Sequence, residues 1–102
     1  MIKTVDVKTL KQWLENDEVF LLDVREVDEY KESNIKQAVL MPLATVNLEE
    51  ITKHNPANKK IAIHCRSGKR SMNACNTLFM QDPSLELYNV EGGILAYNEA
   101  NK

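Results

Sequence analysis

Apolar residues recur along the chain at two spacings, and the alternation between them predicts the elements. Leu10, Trp13 and Leu14 stand at i, i+3 and i+4, one face of an amphipathic helix over residues 7–16 with Asp6 as its N-cap. A short strand over 3–5 precedes it. Val19 to Val24 is almost continuously apolar, broken only by Asp23, which is the pattern of a strand covered on both faces in a parallel sheet. Residues 25–33 read as a short charged helix with Val27 and Tyr30 facing inward and Arg25 paired with Glu29. A strand over 38–40 ends before Pro42, and 45–51 forms a helical turn or two capped by Asn47 or Thr45. Residues 60–64 read as a strand and 70–80 as a helix with Ala74, Cys75 and Leu78 on its apolar face. A strand over 85–90 and a helix over 94–101 follow. Strand and helix in alternation predict an α/β three-layer domain, a mainly parallel sheet of about five strands flanked by helices. The 102 residues read as one domain spanning 1–102.

Composition narrows the classes of partner. With 43% hydrophobic and 27% charged residues the chain has the balance of an ordinary globular protein. The longest nearly apolar run, Ala38 to Ala44, is far short of the roughly 18 residues of a membrane-spanning helix, and Met1 to Asp6 carries no apolar signal core. The expectation is a cytoplasmic protein with no membrane partner. A net charge of −2 and a pI of 5.7 argue against a general nucleic-acid binder. Two cysteines are too few for a disulfide framework, and neither has a partner at metal-ligand spacing. No metal and no cofactor is expected. Cys65 and Cys75, ten residues apart across a turn and part of a helix, are too distant for a disulfide.

Candidate chemistry gathers at His64-Cys65-Arg66-Ser67-Gly68-Lys69-Arg70-Ser71, between the strand and the long helix. Strand, glycine-bearing turn and helix N-terminus together point backbone N–H groups into one concavity suited to an anion. Arg66, Lys69 and Arg70 make the stretch locally positive in an acidic chain. Amides and cations both favour a thiolate, so Cys65 is the candidate nucleophile. On residues alone the other reading stays open: a buried strand-end thiol beside solvated cations. Asp23, at the end of its strand, is a candidate for ordering the active-site loop or an N-cap for the helix after it. The three glycines, Gly68, Gly92 and Gly93, fall at two strand-to-helix junctions that a parallel sheet places on one edge. At the second junction they allow a tight turn or a close approach to the cysteine pocket.

Four blocks, in order, resemble the rhodanese-like sulfurtransferase family: Leu22-Asp23-Val24-Arg25 with Glu29-Tyr30; Ile35, Ala38 and Pro42; Cys65-Arg66-Ser67-Gly68-Lys69-Arg70-Ser71; and Glu91-Gly92-Gly93-Ile94 with Ala96. Ser33-Asn34 stands where the family has Gly-His, Gln37 where it has Gly, and Tyr97 where tryptophan is common. The resemblance implies that Cys65 takes a sulfur atom from a small anionic donor such as thiosulfate. The resulting persulfide passes it to cyanide or a thiol, or exchanges it with a protein donor or acceptor. It implies that Arg66, Ser67, Gly68, Lys69 and Arg70 form the active-site loop, Arg66 and Lys69 holding the donor and Arg70 supporting the loop. Asp23 and Arg25 would have supporting roles. Two other functions fit the same residues: a persulfide carrier or docking module that turns over poorly alone, and a cysteine phosphatase or arsenate reductase. The family's phosphatases carry a seven-residue loop with arginine six positions after the cysteine, where this chain has Ser71.

Overall fold

The computed structural model describes residues 1–102. Its elements in order are β1 (Ile2–Val5), α1 (Val7–Glu15), β2 (Val19–Asp23), α2 (Val27–Glu32), β3 (Val39–Leu40), a 3-10 turn (Leu43–Thr45), α3 (Leu48–His54), β4 (Lys60–His64), α4 (Lys69–Gln81), β5 (Leu87–Val90) and α5 (Gly93–Ala100). The five strands form one sheet in the order β1-β5-β4-β2-β3. Every pairing is parallel, so all strand C-termini lie on one edge. No helix is long and apolar enough to cross a membrane.

Side-chain alternation explains why β2 is apolar at nearly every position. Phe20 and Leu22 join Ile61 and Ile63 of β4, Ile51 of α3 and Ala74, Cys75 and Leu78 of α4 in one buried cluster. Val19, Leu21 and Ala62 join Val90, Leu10 of α1 and Ile94 of α5 in the other. One face of the sheet is thus covered by α3 and α4, the other by α1 and α5, which is the three-layer arrangement that covers a parallel sheet on both faces.

Local signals set most boundaries. Asp6 accepts the Thr9 N–H at 2.7 Å and starts α1. Asn47, rather than Thr45, caps α3 by accepting the Glu50 N–H at 3.2 Å, and the residues before it close as a separate 3-10 turn. Three expectations around α2 fail. The helix begins only at Val27 with Glu26 in the N-cap position, because Arg25 turns back to Asp23. The later start leaves Val27 half exposed, at 50%, not facing the core. Arg25 does not pair with the Glu29 carboxylate either; Glu29 engages Arg70 instead.

Leu78 is fully buried between α4 and the sheet. Leu78→Ala is expected to cost about 2 to 5 kcal/mol through lost burial and the cavity left behind. A lower urea midpoint at unchanged slope would be the corresponding measurement.

Candidate active site

The chain leaves β4 at His64, passes through Cys65 and the short turn at 66–68, and enters α4 at Lys69. Gly68, at the N-cap, has φ +113° and supplies no capping side chain. The first turn of a helix carries backbone N–H groups without intrahelical partners. Here the sulfur of Cys65 takes the place of the missing cap, accepting the Gly68 N–H at 3.1 Å and lying 3.4 Å from the Ser71 hydroxyl. Cys65 is only 1% exposed, so its sulfur sits at the base of the loop. Burial by itself pushes the Cys65 thiol up, but the Ser71 hydroxyl and the N–H groups of Ser71, Gly68 and Ser67 outweigh it and bring the thiol below its ordinary value. The other thiol, Cys75, has no such donors and burial pushes it up to about 12. Both cysteines are free.

Of the residues expected around Cys65, the structure brings some to the sulfur and sends others elsewhere. Ser67 and Gly68 supply backbone donors. Arg66 and Lys69 are exposed and belong to no ion pair. Arg66 lines a 340 Å³ groove with Arg25, Glu29 and Leu95, whereas Lys69, at the first position of α4, lines none. Arg70 neither opens the helix nor closes the loop over the sulfur. It reaches back to α2, where its two terminal nitrogens donate to the two Glu29 oxygens at 2.7 and 2.8 Å. The loop is closed by Ser71. Neutral donors therefore lower the Cys65 thiol more than the cations do, with Arg70 adding a charge attraction from its place beside Glu29.

Asp23 departs from one of its two expected roles, the N-cap. It is fully buried and caps no helix. Its carboxylate accepts the Arg25 N–H at 3.0 Å and the Arg25 Nε–H and Nη2–H at 3.1 and 2.8 Å. Arg25 then donates to the carbonyls of Ser33 at 2.7 Å and Glu29 at 3.3 Å. Asp23 thus orders the β2–α2 segment directly and the cysteine loop only through Glu29 and Arg70. The sheet register sets Asp23 beside His64, whose Nε2 lies 3.6 Å from the carboxylate without a hydrogen bond. Burial lowers the His64 pKa against the opposing pull of Asp23, which leaves the ring neutral at pH 7.

The second glycine junction meets the first. A Cβ on Gly93, at φ +57°, would collide with the carbonyl oxygens of Cys65 and Arg66. That approach lets Ile94 and Leu95 donate their N–H groups to these carbonyls at 2.9 and 3.2 Å. At the unusual Ser33, the carbonyl holds Arg25 and the hydroxyl accepts from Asn98 of α5 at 3.2 Å, so this departure braces α2 against α5. Two residues went unremarked in the sequence: Ser71 as a partner of the sulfur, and Asn89 of β5. Ser71 is fully buried and donates to Asn89 Oδ1 at 2.5 Å, while Asn89 Nδ2 donates to the Gly68 carbonyl at 3.1 Å. An asparagine within the apolar frame of Leu87 to Val90 was the available signal.

The sequence pattern of the rhodanese-like domain family matches residues 6–100. A protein of Bacillus subtilis named putative sulfurtransferase YtwF is 36% identical over 104 residues, covering 99% of this chain and 95% of that protein. A sulfurtransferase of Allochromatium vinosum is 34% identical over 100 residues, covering 95% and 89%. Among solved structures, a rhodanese-related protein of Thermoplasma volcanium superposes with a TM-score of 0.76 at 28% identity, covering 96% of this chain and 92% of the other.

Two predictions follow from the geometry. The Arg70 hydrogen bonds, helped by the Glu26 N–H, hold the Glu29 carboxyl at about 2 against an ordinary 4.5. A lowered carboxyl contributes stability above its unfolded value and loses it as pH falls through the folded value. Glu29→Gln should cost about 1 kcal/mol at neutral pH for this partly solvated pair, and the gap from wild type should close between about 4.5 and 2. Urea midpoints across that range measure it. Gly93→Ala should loosen the Cys65 carbonyl from α5 and slow alkylation of Cys65 more than it lowers the melting temperature, as iodoacetamide rates and a thermal melt would show.

Proposed function

The chain belongs to the rhodanese-like domain family, and we propose that it is a sulfurtransferase carrying sulfur as a Cys65 persulfide. The donor is a small anion such as thiosulfate, and the acceptor is cyanide or a thiol. The observation that carries this reading is the Cys65 sulfur seated as the cap of α4, with the Gly68 N–H 3.1 Å away. Amides so placed favour negative charge on sulfur in whatever state holds it.

In the first half-reaction the Cys65 thiolate attacks the outer sulfur of thiosulfate. A new S–S bond forms, the bond between the donor's two sulfur atoms breaks, and sulfite leaves with that electron pair. The enzyme then carries a persulfide whose terminal sulfur holds the charge among the loop amides. In the second half-reaction cyanide attacks that terminal sulfur, thiocyanate departs, and the Cys65 thiolate returns. This is covalent catalysis in two separate displacements. Arg66 and Lys69, exposed and unpaired, attract the anionic donor, while Arg70, committed to Glu29, fixes the loop.

The residue at the closing position supports sulfur transfer over phosphate chemistry. A phosphate ester needs donors around three equatorial oxygens and a cation at the closing position. Ser71 stands there, and the neighbouring Arg70 points to α2.

Treating the protein with thiosulfate should add the mass of one sulfur atom, removable by cyanide. The adduct should be absent in Cys65→Ala and retained in Cys75→Ala, and Cys65→Ala should reduce thiosulfate:cyanide transfer to background. Intact-mass spectrometry and a thiocyanate assay read both. No adduct in the wild type, or aryl phosphate hydrolysis that Cys65→Ser abolishes, would contradict the assignment. Slow turnover with rapid persulfidation from a protein donor would make the domain a carrier instead.

A further inference from the structure

The hydrogen-bond chain behind Cys65 has one proton too few for its acceptors. Ser71 Oγ is fully buried and has a single hydrogen. Within reach are the Cys65 sulfur, at 3.4 Å, and Asn89 Oδ1, at 2.5 Å. The Asn89 amide cannot turn to relieve the shortage. Its Nδ2 donates to the Gly68 carbonyl, and reversing it would set the amide oxygen against that carbonyl while turning the NH2 to Ser71. The oxygen therefore faces Ser71.

The hydroxyl's direction follows from the charge on sulfur. When Cys65 is a thiol, its S–H donates to Ser71 Oγ and the Ser71 hydrogen points to Asn89, so every group in the chain is satisfied. When the thiol proton has left to solvent, that arrangement turns a hydroxyl lone pair toward an anion. The hydroxyl must rotate to donate to the thiolate, which strands Asn89 Oδ1, eight per cent exposed as a residue, against a second lone pair. An unmatched buried acceptor costs free energy. In the persulfide the inner sulfur is again uncharged, and the hydroxyl can return to Asn89.

We propose that Asn89 is a positioning residue acting through Ser71, holding the hydroxyl proton while the inner sulfur is uncharged and opposing its transfer of allegiance to the thiolate. The proton of Ser71 is never lost; only its direction changes. Asn89 thereby weights the thiol and the persulfide over the thiolate, while the loop amides favour charge at the sulfur. The persulfide half of this inference rests on the sulfur-transfer reading above, and the thiol half does not.

The test is the pH profile of Cys65 alkylation by iodoacetamide, carried out on a Cys75→Ala background with and without Asn89→Leu and Ser71→Ala. Ser71→Ala removes a donor and should raise the alkylation pKa. Asn89→Leu frees the hydroxyl for sulfur and should lower it by on the order of one pH unit, the scale of one neutral hydrogen bond. The double variant should match Ser71→Ala alone, because Asn89 acts only through the hydroxyl. If Asn89→Leu does not fold, Asn89→Ala carries the same expectation. An unchanged or raised pKa in the Asn89 variant would overturn the proposal. So would an equal shift with and without Ser71, which marks a purely structural effect on the loop. Thiosulfate loading followed by intact mass separates the two readings. Failure of loading with the alkylation shifts intact would remove sulfur transfer but keep the Asn89–Ser71 coupling; normal loading with coincident profiles would do the reverse.

Discussion

The site depends on a helix that begins without a side-chain cap. Gly68 holds the left-handed conformation at the start of α4 and brings no oxygen to the first-turn amides. Those amides must find an acceptor, and the nearest is the Cys65 sulfur. The reactive atom is therefore part of what completes the helix terminus. This reverses the usual conflict between burial and ionisation. A sulfur only 1% exposed would ordinarily stay protonated, yet the donors around it tip the balance the other way. The loop N–H groups among them need no reorganisation when charge appears, because the turn and helix fix them in advance.

That arrangement requires the loop to be held from outside, since three turn residues between β4 and α4 cannot stiffen themselves. Two helices brace it. From α5, the N–H groups of Ile94 and Leu95 grip the Cys65 and Arg66 carbonyls, an approach available only because Gly93 has no side chain. From α2, the Glu29 carboxylate grips Arg70 in a two-pronged pair. The second brace is itself anchored in the sheet: buried Asp23 fixes Arg25, and Arg25 fixes the carbonyls of Glu29 and Ser33. A buried ion pair of this kind is weak evidence for stability, because desolvation opposes its attraction. What it supplies here is position, carried from β2 to α4 through a helix of six residues.

Much of this was legible in the sequence because it rests on local pattern. The apolar run of β2, the i, i+3, i+4 face of α1 and the strand over 60–64 all appear where spacing puts them. So do the Asp6 cap and the contact between the two glycine junctions. The misreadings arise where tertiary structure overrides helical spacing. Arg25 and Glu29 stand at helical spacing, but each has a better partner, Asp23 and Arg70, once the sheet and α4 are in place. The charge pattern counts Arg70 with Arg66 and Lys69 as favouring the thiolate beside the amides, but tertiary structure commits Arg70 to Glu29. Ser71 and Asn89 escaped notice because their meeting depends on β5 lying beside β4 with Asn89 opposite Ile63, a register that neither segment announces by itself.

The separation of roles among the charged and neutral groups has a further consequence for how the site works. Stabilisation of charge on sulfur comes from amides and a hydroxyl buried under the loop, where salt screens weakly. Arg66 and Lys69 both lie in solvent, where interactions beyond about 8 Å are largely screened at physiological ionic strength. Encounter and chemistry are thus governed by different physics in one six-residue loop. With Arg70 drawn off to Glu29, the buried donors and the exposed cations of the loop answer to different conditions, the first to packing and the second to ionic strength.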